Sequence, residues 1–244
     1  MAIKTHATSP VIDIYGGKDP RNIPTYSAVD ASRYLNIPCS TIRSWTVGYT
    51  YRVTDGNKKF KPIIDIEKKK PLTLTFINLI EIHVLRAIRQ HHQIDLAKIR
   101  TALDYINQKI NIPHPLAHNE FYTDGVDLFI DYYGSLIKAS QEGQRTLKVA
   151  LQAHLKRIEP DDQGLAIKLF PFTRNLEENN PRLIVIDSRV AFGRMVITGT
   201  GIPIDIIAER FFAGDSQEQL AQDFECDIAK IEEAIRCVSR PIAA

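Results

Sequence analysis

The fold is decided by one stretch, Tyr26-Ser-Ala-Val-Asp-Ala-Ser-Arg-Tyr-Leu-Asn-Ile-Pro-Cys-Ser-Thr-Ile-Arg-Ser-Trp45. It predicts two short helices, over residues 27–35 and 38–45, with a turn at Asn36-Ile37 between them. Pro38 suits a helix start, where its missing N–H costs nothing. Ala31 is small enough to let the two helices approach closely, and Leu35, Ile37, Ile42 and Trp45 supply a compact core. Ile42 and Trp45 lie three apart on one face of the second helix. That leaves Ser40, Thr41, Arg43 and Ser44 outward, near its N-terminus. A helix built this way can lie in a major groove, with Arg43 reaching a guanine edge or a phosphate. Its free amide groups add attraction for phosphate.

Working outward, residues 49–66 alternate and carry the turn signal Asp55-Gly56-Asn57, which predicts a β-hairpin. The hairpin brings Arg52, Lys58, Lys59 and Lys61 together with Tyr49, Tyr51 and Phe60. A basic wing beside a recognition helix provides phosphate contacts, the main source of sequence-independent affinity. The alternative is a solvated hairpin whose lysines keep an edge soluble. The candidate DNA-contacting set is therefore Ser40, Thr41, Arg43, Ser44, Tyr49, Arg52, Lys58, Lys59 and Lys61. The run Lys68-Lys69-Lys70 reads as solvated charge.

The formal net charge of +2 hides an asymmetry. Residues 1–115 hold 17 Lys+Arg against 9 Asp+Glu, a net +8, and residues 116–244 hold 14 against 20, a net −6. A basic half beside an acidic half points to nucleic acid on one side. At 244 residues the chain is long enough for about two domains and for cores that need no staple. Cys39, Cys226 and Cys237 are scattered and odd in number, with no CxxC pair, so neither a disulfide framework nor a zinc ribbon is expected. With no signal-peptide pattern and no bilayer-length apolar run, the expectation is a soluble, cytoplasmic protein without a membrane partner.

The expected fold class is mainly α with small β elements, α+β. Residues 1–25 read as an N-terminal arm, 26–115 as a winged helix–turn–helix, and 116–173 as a mixed α/β extension. Residues 174–181 read as a linker, and 182–244 as a small three-helix, helix–turn–helix-like domain. In 75–90 the apolar face is Phe76, Leu79, Ile80, Val84, Ala87 and Ile88. In 95–110 it is Ile99, Ala102, Leu103, Ile106 and Ile110, with Asp95 as N-cap. Thr123-Asp124-Gly125 is expected as a hairpin turn between short strands, with a helix over 144–157 and a strand over 166–172. The last section is expected to open with a strand over 183–186 and a Gly/Thr-rich loop over 192–203. Helices over 204–212, 217–224 and 228–238 follow, with a capping box at Ser216 and Gln219. Their core is expected from Ile207, Phe211, Leu220, Phe224, Ile228, Ile231, Ile235 and Val238.

Residues 26–110 resemble the DNA-binding part of MerR-type winged-helix regulators. Residues 26–172 resemble more closely the helix–turn–helix region of VapB-type antitoxins, through Leu74-Thr-Phe-Ile-Asn-Leu-Ile-Glu-Ile-His83, Ile99-Arg-Thr-Ala-Leu103, His114-Pro-Leu116 and Leu169-Phe-Pro-Phe172. Residues 182–238 resemble the small family of unknown function DUF433, through Val185-Ile-Asp-Ser-Arg189, Phe192-Gly-Arg194, Ile197-Thr-Gly-Thr200 and Leu220-Ala-Gln-Asp-Phe224. Met195 and Gly201 depart from that family's pattern, which commonly has Pro and Arg there. These resemblances imply an antitoxin of a type II toxin–antitoxin system. Such a protein binds double-stranded operator DNA as a homodimer, represses its own gene and neutralises a PIN-like ribonuclease toxin. A stand-alone MerR-like regulator, whose C-terminal half dimerises or senses a ligand, is the alternative.

Residues 204–238 hold 3 Lys+Arg and 9 Asp+Glu, and such a surface repels phosphate. Candidate partner-contacting residues are Arg189, Arg194, Thr200, Phe211 and Phe212; equally, the 193–203 loop can simply pack beneath the helices. No enzymatic activity, metal or cofactor is expected. His91 and His92 are adjacent, His114 and His118 flank Pro115, and no nucleophile–base or phosphate-cradling motif is present. Asp161-Asp162 and Glu177-Glu178 read as solvated acidic pairs.

Overall fold

The computed structural model describes residues 15–54, 56–90, 96–174 and 180–239. Residues 1–14 of the arm, Asp55, His91, His92, Asp95, Glu177 and Glu178 lie outside the described residues. Ser27 caps α1 (Ala28–Leu35) through a capping box with Asp30, and Asn36 ends it in the left-handed conformation. Pro38 stands at the N-cap of α2 (Cys39–Thr46). Strands β2 (Tyr49–Val53) and β3 (Gly56–Phe60) form the hairpin. A small antiparallel sheet, ordered β1 (Tyr26–Ser27), β5 (Leu72–Leu74), β4 (Lys68–Lys69), sits at the base of the helix–turn–helix. The expected α+β class is what the chain adopts.

Helix α3 (Phe76–Gln90) departs from the one-sided pattern expected of it. Ile77, Ile82 and Leu85 are buried along with Phe76, Leu79, Ile80, Val84, Ala87 and Ile88. A helix apolar all round is a core helix. Its chief neighbours are α6 (Gln141–Leu155) and the short helical turns Pro20–Asn22 and Pro115–Ala117, with α1 on the DNA-binding side, while α4 (Leu96–Ile110) packs on α5 (Val126–Ile137) and α5 on α6. Thr123-Asp124-Gly125 is no hairpin turn. Residues Phe121–Gly125 form a helical turn leading directly into α5, with Phe121, Gly125 and Val126 buried. A Cβ on Gly125 would press on Ile110 and Phe121, so this glycine permits close packing and does not mark a loop.

Strands β6 (Ile158–Pro160), β7 (Ala166–Leu169), β8 (Ile184–Asp187) and β9 (Met195–Ile197) make one antiparallel sheet in that order. β9 occupies part of the span expected as loop, because Met195, Val196 and Ile197 are all buried against β8. The β7–β8 pair, Lys168 opposite Asp187 and Leu169 opposite Ile186, crosses the expected linker. The C-terminal unit thus completes a sheet begun by the middle of the chain. Arg157 secures the crossing. Its buried guanidinium donates to the carbonyls of Phe170 (2.8 Å) and Pro171 (3.1 Å) on one side, and of Asn180 (2.9 Å) and Pro181 (3.1 Å) on the other. Burial, with Arg182 nearby, pulls that guanidinium down to about 10.

Helices α7 (Ile204–Phe212), α8 (Gln217–Asp223) and α9 (Ile228–Ser239) close the fold, with the Ser216–Gln219 capping box in place. Ile207, Leu220, Ile231 and Ile235 are buried, and Phe211, Phe224 and Val238 pack against them. Ile228 is exposed instead, since it opens α9 before the helix turns its face inward; Ala234 and Cys237 fill the inner face. Glu233 is buried under Arg174, which donates to it at 2.9 Å. Burial pushes the Glu233 carboxyl up, but the bonds from Arg174 and Thr173 outweigh it and hold the group below the usual range. One contiguous cluster of buried side chains runs from Tyr26 to Cys237.

Candidate nucleic-acid interface

Ile42 and Trp45 are buried and point α2 into the core, contributing roughly 2–3 kcal/mol each on apolar burial. Ser40 and Arg43 are exposed, and Thr41 and Ser44 half-buried, so the four predicted contact residues share the outer side of α2. The end of α2 also fixes the wing. The Trp45 carbonyl accepts from the backbone N–H groups of Ile63 (2.8 Å) and Ile64 (3.0 Å), tying the returning chain to the recognition helix. Between them stands Gly48, with φ of +76°, where a Cβ would meet the Phe60 carbonyl oxygen at 2.2 Å. Its place three residues behind Trp45, where the second helix ends, is the one trace of this role in the sequence.

The register Tyr49–Phe60, Thr50–Lys59, Tyr51–Lys58, Arg52–Asn57 sorts the wing into two faces. Tyr49, Phe60, Tyr51 and Lys58 share one; the Tyr49 and Phe60 rings stack with centroids 5.1 Å apart. Arg100 of α4 lies over the Phe60 ring at 4.8 Å and donates to the carbonyls of Lys61 and Pro62. Phe60 ties this face to the body, while Tyr49, Tyr51 and Lys58 on it are exposed. Thr50, Arg52, Asn57 and Lys59 line the opposite face, and all four are exposed. The cations predicted as one wing patch are therefore divided: Arg52 and Lys59 on the outer face, Lys58 on the aromatic face, Lys61 exposed beyond β3.

The C-terminal half meets the helix–turn–helix from another side. The buried Tyr26 hydroxyl donates to the Gly193 carbonyl at 2.9 Å, and a Cβ on Gly193 would lie 2.0 Å from that hydroxyl. Tyr34 reaches the backbone of Met195, and burial pushes its phenol up to about 12. Arg21, buried, bonds Asp19 and Asp161, the latter at 2.5 Å. Asp161 is thus a partner of the N-terminal segment and not a merely solvated acid.

Of the candidate partner residues, Arg189 is ion-paired with Asp187 at 2.9 Å, and Arg194 with Asp205 at 3.3 Å. The Thr200 hydroxyl donates to the Ile197 carbonyl and accepts from the Ile202 N–H, so it serves its own turn. Phe211 packs partly inward, and Phe212 is exposed. The five do not form a single cluster. No group of three or more metal-ligating side chains occurs among the described residues.

Comparison with known proteins gives two family matches. Residues 24–103 match the family described as "Putative DNA-binding HTH domain", and residues 184–236 match "Protein of unknown function (DUF433)". Over 234 residues the chain is 24% identical to the Mycobacterium tuberculosis protein called "Putative antitoxin VapB45", covering 89% of this chain and 95% of that one. It is 22% identical over 222 residues to "Uncharacterized protein Rv2308" of the same organism, covering 88% and 89%. A crystal structure of Rv2018 from Mycobacterium tuberculosis superposes with a TM-score of 0.64 at 20% identity, covering 88% of this chain and 98% of that one. That likeness establishes a shared fold. The chain thus carries a helix–turn–helix unit of DNA-binding type and a DUF433 unit, joined by the sheet described above.

Proposed function

We propose that the protein is the antitoxin of a type II toxin–antitoxin pair. Its winged helix–turn–helix binds operator DNA near its own gene, as a homodimer on a two-fold site, and its C-terminal half binds and neutralises a PIN-like ribonuclease toxin in the cytoplasm. The observation that carries the DNA half is the outer side of α2, where Ser40 and Arg43 are exposed over a buried Ile42–Trp45 seam, with Arg52 and Lys59 on the free face of the wing. The toxin half is supported by the co-occurrence of both family matches with a relative named as an antitoxin along nearly its whole length. The protein is not an enzyme on this reading.

The test is capture of the tagged full chain from its native cells, with mass spectrometry of any stoichiometric partner, alongside gel-shift of its promoter. Recovery of a small PIN-like protein, and a promoter shift lost on Arg43→Ala, is the expected result. Recovery of the chain alone, still shifting its promoter, would favour a stand-alone regulator. Truncation at residue 182 is a poor test, because it removes two strands of a four-stranded sheet.

A further inference from the structure

A cavity of about 560 Å³ opens beside the first turn of α3, within the size range of small-molecule sites. Its walls come from five separate stretches of chain, through Asn22, Asp65, Glu67, Asn78, His114 and Gln163. These walls are pinned to one another. The Asn119 N–H donates to the Gly164 carbonyl at 2.7 Å, and Arg21 is ion-paired with Asp161 at 2.5 Å. The Asn78 side-chain amide, buried, donates to the Asp65 carbonyl (3.0 Å) and to Oε2 of Glu81 (3.1 Å). A site whose walls are already fixed costs little to order on binding.

The charges in this cavity do not cancel. Buried Glu81 lies 2.9 Å from Nδ1 of His114, and that bond raises the imidazole above its usual value against partial burial. Asp65 reinforces the rise, so the charged ring is favoured. With Nδ1 committed to Glu81, the Nε2–H of His114 is left to donate. His114 also adopts the left-handed conformation, at φ of 53°, a backbone cost that clusters at functional sites. Asp65 feels the His114 charge without touching it. Both Asp65 and Glu67 are exposed, and neither has an ion-pair partner among the described residues. One cavity thus holds an imidazolium donor and two uncommitted carboxylates, kept apart.

We propose that this cavity binds a small zwitterion, with its ammonium group on Asp65 and Glu67 and its anionic oxygens on the Nε2–H of His114. A plain cation would leave the ring donor unmet, and a plain anion would face two carboxylates. A molecule carrying both charges satisfies all three groups. Carboxylate and phosphate serve equally as the anionic end. The site also adjoins the DNA-binding unit. Asp65 follows Ile63 and Ile64, whose N–H groups bond the Trp45 carbonyl at the end of α2. Fixing Asp65 bears on the clamp between recognition helix and wing, so the ligand is expected to alter promoter affinity. That consequence rests on the operator-binding reading; the binding of the zwitterion does not.

The test titrates the purified full chain by calorimetry with each standard α-amino acid and with phosphoethanolamine. Ethylamine and acetate, each carrying one charge, are the controls. At least one zwitterion should bind about tenfold or more tighter than either control. Asp65→Asn should weaken that binding by about tenfold or more with an unchanged melting midpoint, since only an exposed carboxylate is altered. His114→Gln should weaken it as well. Binding of an amino acid identifies the anionic end as carboxylate; binding of phosphoethanolamine alone identifies it as phosphate. No zwitterion bound, ethylamine or acetate bound equally well, or full affinity kept in Asp65→Asn would overturn the proposal. A bound zwitterion that leaves promoter affinity unchanged, by fluorescence anisotropy, would overturn its regulatory role. A chain that never binds its promoter would remove the operator reading and leave the ligand site standing.

Discussion

A methyl group at Gly48 would sit 2.2 Å from the Phe60 carbonyl oxygen, on a backbone already at φ of +76°. Neither problem can be relieved by a side-chain shift, because the obstacle is backbone. Gly48→Ala is therefore expected to destabilise the fold by about 2 kcal/mol or more. A lowered urea midpoint together with loss of promoter binding is the expected reading; an unchanged midpoint would mean that the wing hangs independently of α2. Residues of this kind are hard to see in a sequence. Ile42 and Trp45 announce themselves by spacing, but Gly48 and Gly193 owe their roles to atoms contributed by Phe60 and Tyr26, the latter 167 positions away. Arg157 left no periodic signal either, since its partners are carbonyl oxygens that every residue possesses.

At the level of elements, the wing makes the sharpest prediction. Its outer face carries Arg52 and Lys59, while Lys58 shares the face through which Phe60 meets Arg100. If the outer face approaches phosphate, Arg52→Ala and Lys59→Ala should each weaken promoter binding and lower the salt slope by about one. Lys58→Ala should then have the smaller effect. Equal losses at Lys58 and Lys59, measured by fluorescence anisotropy across a salt series, would show that the hairpin engages DNA edge-on. Helices were largely legible because periodicity and caps act locally: α1, α2, α7 and α8 lie within a residue or two of the predicted bounds. Misreadings came where tertiary burial overrides a local signal. Thr123-Asp124-Gly125 has turn chemistry, yet Phe121 and Val126 on either side are buried against α4 and α5, and the backbone follows them into helix. β9 was hidden in a Gly/Thr-rich stretch whose strand character depends on pairing with β8.

For the molecule as a whole, acid should be more damaging than mild alkali. His83 is buried between α3 and α6, its ring 4.9 Å from that of His154 and stacked on Phe172. Burial, reinforced by the His154 charge, holds its imidazole well below the usual value. Below about pH 6.5 the unfolded chain takes up a proton that the folded chain refuses, so stability falls as pH falls. His114 acts oppositely: its bond to Glu81, against some burial, raises its pKa, and its contribution is full below about pH 6.5 and fades as pH rises past the folded value. His114 is partly exposed, so solvent screening makes its share the smaller. Glu233 adds a further loss in stronger acid, as pH drops below about 4.3 toward its depressed folded value. Urea midpoints should thus decline from pH 7 to pH 5, and His83→Gln should flatten that decline. A midpoint that rises on acidification would show that His114 dominates.

Arg157 has one more consequence. It grips the chain on both sides of residues 172–179 through main-chain oxygens, and the strands it flanks are already paired. The grip is blind to whatever side chains the connection carries, and it does not require the connection to be unbroken. Two polypeptides, 1–176 and 177–244, translated from separate messages should find each other and co-purify as one folded particle. A fold that can be delivered in two instalments is one whose halves can be inherited separately, and exchanged, without relearning how to fit.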